Sequence, residues 1–354
     1  MHERNPLSKA GIVAALSMAA LLGLSGATSA QTATKKLPPA VSTLLSEAKA
    51  EGYTANIYGQ SANPSQAAEF SKRISEFYGV PITLTMFGGL HAQKASELSQ
   101  VTKAGAKSGI DIFWTSSSIA GVLERGSLVV PLDWAKAFDF DDSARLGKTG
   151  LHSHDGTQAT VIYNTDLIKA EEAPKTYAEI VSNPKWKGRI AVPRAPNVFI
   201  YISYALGDEA TRTLLKDLMA KQEAKILPTY PDVRNRVGSG EFAIGIGVDA
   251  TELKRRGAPV EFAPIDPVVL APWGFWLMKD AKSPATGQLF AYWIRTPEGQ
   301  KALFDILGLS LASSADTDLA KLAVGKKAIS VPHDFMIDIL PERLPVYSGL
   351  MGIR

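Results

Sequence analysis

Residues that could bind a metal stand closest together in the segment LHSHDG, residues 151–156. His152 and His154 are two positions apart, so both side chains would lie on one face of an extended chain, and Asp155 adds a carboxylate oxygen. Zinc and other transition metals accept imidazole nitrogens and carboxylate oxygens as ligands. Two histidines at short spacing are an incomplete ligand set. We therefore interpret the segment as solvated hinge residues, with a metal site as the alternative.

Ligand-binding residues are also expected where strands end, because open α/β sheets bind ligands outside the carboxyl ends of their strands. In the first half of the chain, this rule predicts ligand contacts after three strands. The candidate residues are Tyr58 and Ser61 after the first, Gly88 and Gly89 after the second, and Trp114, Thr115, Ser116 and Ser117 after the third. Hydroxyls and free backbone N–H groups at a helix start suit an anionic or hydroxylated ligand. A run of hydroxyls after a strand is equally typical of a helix cap, so both interpretations stay open.

The second half of the chain offers candidate residues of opposite charge. Arg194 follows a predicted strand and could form a bidentate pair with a carboxylate or phosphonate, or could simply lie on the surface. Asp249 would favour a cationic or hydroxyl-bearing ligand. The two side chains could serve a zwitterion together or pair with each other across a closed cleft. Asn197 completes the polar candidates.

Aromatic residues are candidate walls for a flat or ammonium-bearing ligand. They are Trp114, Tyr230, Trp273 and Phe275. Packing in a hydrophobic core is the alternative for each of them, and for Phe275 it is the more common role.

The elements that position these residues alternate between strand and helix. Residues 53–59, 80–89 and 110–118 predict strands, and the segments between them predict helices with one apolar face. The pattern restarts after residue 155, and residues 285–307 predict two helices with Pro297 in a first turn. This alternation predicts parallel sheets with helices packed outside, in two α/β lobes. We leave the C-terminal segment, residues 330–354, as irregular structure.

The first thirty residues predict a secretory signal peptide. Arg4 and Lys9 precede an apolar run over residues 11–24, and small residues near Ala30 suit cleavage. The remaining 324 residues exceed the size at which one core keeps growing, so two domains are expected. The chain has no cysteine, which excludes disulfides, thiolate metal sites and a cysteine nucleophile. A mature net charge of +2 argues against nucleic-acid binding.

Several segments in order resemble one protein family. They are residues 111–132, DIFWTSSSIAGVLERGSLVVPL; 161–168, VIYNTDLI; 173–192, APKTYAEIVSNPKWKGRIAV; 238–247, GSGEFAIGIG; and 296–304, TPEGQKALF. This order resembles extracellular solute-binding proteins of bacterial ABC importers, nearest the cluster that includes ferric-iron-binding proteins. The resemblance implies a two-lobed periplasmic-binding-protein fold of type II, with the ligand in a cleft between lobes. One lobe would comprise residues 37–155 with about 270–305, and the other 156–269 with about 306–354.

The resemblance also implies a function. The protein would be a periplasmic monomer without cofactor that captures a small solute, closes by hinge motion and delivers the solute to an inner-membrane permease. The iron-binding relatives use an adjacent tyrosine pair where this chain has Asp249 and Ala250, and often a histidine where it has Gln60 or Ser61. A small polar organic solute, anionic or zwitterionic, is therefore expected rather than a metal ion. Metal binding is the alternative. A periplasmic hydrolase is a minor alternative, and the absence of any hydrolase motif argues against it.

Overall fold

The computed structural model describes residues 37–60 and 62–353. The predicted signal peptide and Ser61 lie outside the described residues. In chain order the elements up to residue 156 are α1 (Pro39–Ala50), β1 (Thr54–Tyr58), α2 (Pro64–Tyr78), β2 (Thr83–Phe87), α3 (His91–Lys103), β3 (Ile112–Ser116), α4 (Ser117–Arg125), α5 (Trp134–Phe138), β4 (Arg145–Leu146) and β5 (Gly150–Gly156). Local signals explain their ends. A reciprocal capping box between Asn63 and Gln66 starts α2.

The second group of elements carries the chain through a second sheet. It comprises β6 (Val161–Asn164), α6 (Tyr177–Ser182), β7 (Ile190–Pro193), α7 (Asn197–Leu206), α8 (Asp208–Ala220), β8 (Lys225–Leu227), α9 (Tyr230–Gly238), β9 (Ile244–Ile246), α10 (Thr251–Arg255) and β10 (Val260–Phe262). Helix α7 was not predicted. It is buried continuously from Val198 to Ser203, so it lacks the one-sided apolar stripe that indicates a surface helix.

The last group returns to the first sheet. It comprises β11 (Val268–Leu277), α11 (Pro284–Arg295), α12 (Pro297–Leu307), α13 (Asp318–Ala323), β12 (Ala328–Ser330) and α14 (His333–Leu350). The two helices predicted for residues 285–307 are confirmed, with Pro297 in the first turn of α12. None of the helices within the described residues is long and apolar enough to cross a membrane.

Two sheets organise the chain. The first has the order β2-β1-β3-β11-β5-β4, with β12 paired to β11, and the second has the order β10-β6-β9-β7-β8. In the first sheet β1, β2 and β3 are parallel, and β11 lies antiparallel between β3 and β5. In the second, β7 is parallel to β8 and β9, and β6 is antiparallel to β9 and β10. In each sheet one antiparallel strand, β11 or β6, lies between two parallel strands, so the five-strand orders β2-β1-β3-β11-β5 and β8-β7-β9-β6-β10 correspond; the first sheet adds β4 and β12.

Each sheet has its own apolar core. One core joins the first sheet to α1, α2, α11 and α12, and another joins β6, β7 and β9 to α7, α8 and α14. The predicted α/β fold with two lobes is confirmed. The lobe boundaries at residues 155, 270 and 305 stay predictions. Strands β5 and β11 lie side by side in the first sheet and lead into the segments that cross to the second.

The expectation of irregular structure after residue 330 is wrong, because α14 runs from His333 to Leu350 and contains Pro341 and Pro345. Prolines inside a helix remove backbone hydrogen bonds and normally break it. Tertiary contacts stabilise this one. Its Met336 and Tyr347 are buried, and the helix packs against α7 and α8 of the second lobe and α4 of the first. Packing therefore outweighs the local signal.

Candidate functional site

A cavity of about 270 Å³ is lined by residues from both lobes. Its wall comprises Gln60, His154, Asp155, Gly156, Thr157, Gln158, Tyr230, Arg234, Asp249, Thr251, Trp273, Phe304, Gly308, Leu309, Ser310 and Leu319. A smaller cavity of about 140 Å³ adjoins it and shares Thr157, Gln158, Tyr230, Arg234 and Asp249. The two together are called the interlobe cavity below.

Strand ends and crossing segments place these side chains. Gln60 follows β1, Tyr230 begins α9 after β8, and Asp249 follows β9, so each lies beyond the carboxyl end of a strand. A reciprocal capping box between Thr229 and Asp232 fixes the start of α9. Trp273 lies on β11, where it pairs with Ser116 of β3 on one side and His154 of β5 on the other.

Three buried polar atoms around the interlobe cavity have no hydrogen-bond partner within the described residues. They are the indole Nε1 of Trp273, the amide Oε1 of Gln158 and the guanidinium Nε of Arg234. Leaving a buried donor or acceptor unpaired costs about 1–3 kcal/mol, so such groups are rare in folded proteins. Two donors and one acceptor in one cavity form a set that a polar ligand could satisfy.

Two charged groups of opposite sign belong to the same wall. The Asp249 carboxylate accepts a hydrogen bond from the backbone N–H of Thr251 at 2.7 Å, and the Thr251 hydroxyl interacts with it as well. Burial raises the pKa of Asp249, and the nearby Arg234 partly offsets this. The Arg234 guanidinium is itself paired with Glu252 at 2.8 Å through its Nη1, which leaves its Nε free of that contact.

Apart from Asp155, which contacts His152, the remaining polar wall is uncharged. The hydroxyl of Tyr230 donates to Oδ1 of Asn197 at 3.3 Å, and burial raises the pKa of Tyr230. Burial lowers the pKa of His154 to about 3, so its imidazole is neutral in ordinary buffers. The ring lies between Trp114 and Trp273, with centroids 5.5 Å away on each side, and Nδ1 is 3.0 Å from the hydroxyl of Ser153. A neutral imidazole and a phenol can bind a ligand without adding charge.

A sequence profile of bacterial extracellular solute-binding proteins matches residues 65–324. The chain belongs to this family. Its members are binding proteins, so this protein is an extracellular solute-binding protein whose function class agrees with the prediction. Among curated proteins, no relative matches the chain.

Solved structures with the same fold are distant in sequence. Iron-bound HitA from Pseudomonas aeruginosa is 19% identical, with a TM-score of 0.64, and covers 84% of this chain and 99% of its own. The substrate-binding protein of an ABC transporter from Agrobacterium tumefaciens is 19% identical, with a TM-score of 0.67 over 85% of this chain and 96% of its own. MotA from A. tumefaciens B6, in complex with glucopine, is 14% identical, with a TM-score of 0.59 over 84% and 99%. These likenesses show the two-lobed fold of the solute-binding protein.

The structure brings three predicted site residues of this solute-binding protein to the interlobe cavity: Tyr230, Asp249 and Trp273. Asn197 lies behind Tyr230 as its hydrogen-bond acceptor. Arg194 is exposed and does not line the cavity, and its backbone N–H donates to the carbonyl of Leu227.

The residues predicted from β1, β2 and β3 lie elsewhere in the first lobe. Tyr58 packs against Phe87 and Phe113, with Gly89 beside its hydroxyl. Trp114 is fully buried, and its indole donates to the hydroxyl of Ser153 at 2.8 Å. Ser117 is buried, and its hydroxyl donates to the carbonyl of Pro272 at 3.4 Å.

Ser116 is covered by the second lobe. Its hydroxyl is 2.8 Å from that of Ser118, and both face the hydroxyl of Tyr201 on α7. These contacts partly offset the burial that raises the pKa of Tyr201. The carboxyl end of β3 is therefore occupied by a protein contact between lobes.

The expectation that LHSHDG is solvated is wrong, whereas its role as a hinge stays a prediction. The segment forms β5, where a bulge opposite Trp273 and Gly274 interrupts the pairing, and His154 is only 1% exposed. His152 is 3.2 Å from Asp155 and lies away from the interlobe cavity. Within the described residues, no group of three or more histidine, cysteine, aspartate or glutamate side chains is arranged to hold a metal ion.

Sequence reasoning missed Thr157, Gln158, Arg234 and Thr251 as cavity residues. Arg234 lies one helical turn after Tyr230, so the position of Tyr230 on α9 could have pointed to it. Thr157 and Gln158 lie in the segment between β5 and β6, where no regular period indicates which side chain points inward.

Proposed function

We propose that this protein is the periplasmic receptor of an ABC importer and that it binds a small zwitterionic organic solute in the interlobe cavity. The observation that carries the proposal is the set of three unpaired buried polar atoms on Trp273, Gln158 and Arg234. The solute would accept hydrogen bonds from Trp273 and Arg234 and donate one to Gln158. Its binding would remove the cost of leaving these groups unpaired.

The charges favour a zwitterion over a simple anion. Asp249 is a carboxylate with one backbone hydrogen bond, and burial penalises its charge, so a ligand ammonium or hydroxyl group would stabilise it. The Arg234 Nε would serve the anionic end of the solute. The indole of Trp273 offers an apolar surface as well as its N–H. Among the solved structures with this fold, MotA is in complex with glucopine and HitA is iron-bound, so the side chains of the cavity, rather than the fold, carry the choice of ligand.

Transport follows from binding without any chemical step. A ligand that contacts both lobes shifts the population toward the closed state by its differential affinity for that state. The closed monomer would then be recognised by the permease, and no catalytic role is required of any residue.

A thermal-shift screen of mature chain 31–354 tests the proposal. Amino-acid zwitterions, carboxylates, phosphonates, polyamines, sugars and transition metals would each be added, and the metal content would be assayed. A ligand at a hundredfold its dissociation constant adds about 2.7 kcal/mol of stability, which raises Tm by a few degrees. We expect the shift with zwitterions.

Variants then locate the binding site. Trp273→Ala and Asp249→Asn should each lower affinity at least about tenfold in calorimetric titrations. Asp338→Asn, at an exposed position on α14, is the matched control and should bind like the wild type. A shift produced only by metals, or full affinity in both cavity variants, would refute the proposed ligand or its site.

A further inference from the structure

A larger cavity, of about 530 Å³, lies apart from the interlobe cavity. It is bounded by the turn before β5, by His152 and Asp155 of β5, by Arg295 at the end of α11, by residues 311–313 and by residues 330–334 at the start of α14. We call it the crossover cavity. Asp155 is the one residue that also lines the interlobe cavity, so the two spaces have separate walls.

Two charged residues around the crossover cavity, Arg145 and Asp155, already have protein partners. Arg145 pairs with Asp133 and Asp142. Asp155 is 3.2 Å from His152, and its Oδ2 accepts from the backbone N–H of Ala312 at 2.8 Å. These groups have no remaining need of a ligand.

Arg295, unlike Arg145, forms no ion pair with a carboxylate among the described residues. Its Nε is buried without a hydrogen-bond partner in the same part of the chain. Its contacts are a long hydrogen bond from Nη1 to the carbonyl of His152, at 3.4 Å, and the ring of Phe140, 5.9 Å from the guanidinium carbon. Burial lowers the pKa of Arg295, and the attraction of the Asp141 and Asp155 carboxylates offsets this only in part.

The start of α14 supplies further donors to the same cavity. The N-cap residue Pro332 provides no side-chain cap for this 18-residue helix, so the first-turn N–H groups have no side-chain acceptor. His333, 5% exposed, donates from Nε2 to Glu124 at 3.0 Å, which in a neutral imidazole leaves its buried Nδ1 as an acceptor without a partner within the described residues, so the donors at this helix start are the backbone N–H groups. Asp334, an exposed acid at the same helix start, and Asp155 are the two carboxylates that line the cavity.

We propose that the crossover cavity binds a small oxyanion, a carboxylate or a phosphate, held by Arg295 with help from the start of α14. A guanidinium donates two parallel hydrogen bonds to either group, and a helix start favours negative charge. The hydroxyls of Ser143, Ser313 and Ser330 line the same space and can donate further hydrogen bonds. This proposal does not depend on the ligand of the interlobe cavity.

Calorimetric titration of the mature chain with inorganic phosphate, and separately with citrate, at fixed ionic strength tests it. The arm with higher affinity identifies the type of oxyanion. Arg295→Gln should weaken binding at least about tenfold, because it removes a charge-assisted pair. Lys187→Gln, which removes an exposed surface cation elsewhere, should bind like the wild type.

A second variant keeps the test decisive if Arg295→Gln does not fold. Ser330 is exposed at the edge of the cavity, so Ser330→Glu should fold and should weaken oxyanion binding by charge repulsion, whereas Ser330→Ala should not. Absence of saturable binding for both oxyanions would overturn the proposal. So would affinities unchanged by Arg295→Gln and Ser330→Glu.

Discussion

Replacing His154 by glutamine should change how the stability of the protein depends on pH. Burial holds the pKa of His154 at about 3 in the folded protein, against 6.5 for an ordinary histidine. Between these values the unfolded chain binds a proton that the folded protein does not, so acidification favours unfolding. The contribution of His154 is therefore intact above pH 6.5 and is lost as the pH falls toward 3.

The magnitude follows from the difference in pKa. At about pH 5, which is roughly 1.5 units below the unfolded pKa and still above the folded one, the loss is about 2 kcal/mol at about 1.36 kcal/mol per unit. Glutamine does not titrate, so the His154→Gln protein should lack this part of the pH dependence. The variant also loses the contact with Ser153, which lowers its stability at every pH and cancels in the comparison.

Urea unfolding of both proteins at about pH 7.5 and about pH 5, followed by tryptophan fluorescence, measures the effect. The wild type should lose about 2 kcal/mol more than the variant on acidification. Other titrating groups, such as His91, whose pKa is also lowered by burial, contribute equally to both proteins. Equal losses in the two proteins would refute the assignment of His154 as a neutral, water-excluded wall of the interlobe cavity.

Changes at three other positions have expected outcomes. Glu51→Gln should lower the unfolding free energy by about 2 kcal/mol in urea unfolding, because this carboxylate accepts from the backbone N–H groups of Ala285 and Thr286; an unchanged midpoint would contradict this. Gly156→Ala should lower solute affinity, since a Cβ there would lie 2.1 Å from Oε1 of Gln158 and 2.6 Å from Nε1 of Trp273, whereas Gly349→Ala meets no atom within 4 Å and serves as the control. Burial raises the pKa of Asp249 above 3.8, so wild-type solute affinity should fall on acidification toward that raised pKa, while Asp249→Asn should bind weakly throughout; parallel pH profiles in titration calorimetry would contradict the role of the carboxylate.

The alternation of elements was predictable because local rules and packing agree over most of the chain. In β2, Leu84 and Met86 are buried and Thr83 and Thr85 are exposed, which is the period of two expected for a strand with one face on a core. Local rules and packing disagree in two helices. Helix α7 is buried on all of its faces, and α14 is held by tertiary contacts although it contains two prolines. A helix that is buried on all faces has no one-sided apolar stripe to reveal it, and prolines predict that a helix ends rather than continues.

The candidate site was only partly predictable for a geometric reason. The strand-end rule locates the edge of a sheet, but it does not say which lobe covers each strand end. Tyr230 and Asp249 follow β8 and β9 and reach the interlobe cavity, whereas Ser116 at the end of β3 faces Tyr201 of the opposite lobe. That contact depends on α7, which the sequence pattern did not reveal.

The distribution of unpaired polar atoms links the two cavities to function. Within the described residues, five buried side-chain nitrogen or oxygen atoms at the two cavities have neither a hydrogen-bond nor an ion-pair partner; they belong to Gln158, Arg234 and Trp273 at the interlobe cavity and to Arg295 and His333 at the crossover cavity. Folding alone disfavours such atoms wherever they occur, so their concentration around two spaces needs a compensating gain. Trp273 lies on β11, Gln158 lies just beyond β5, and Arg295 is hydrogen-bonded to the carbonyl of His152 on β5. Binding in either cavity would therefore act on the strands from which the chain crosses between the lobes.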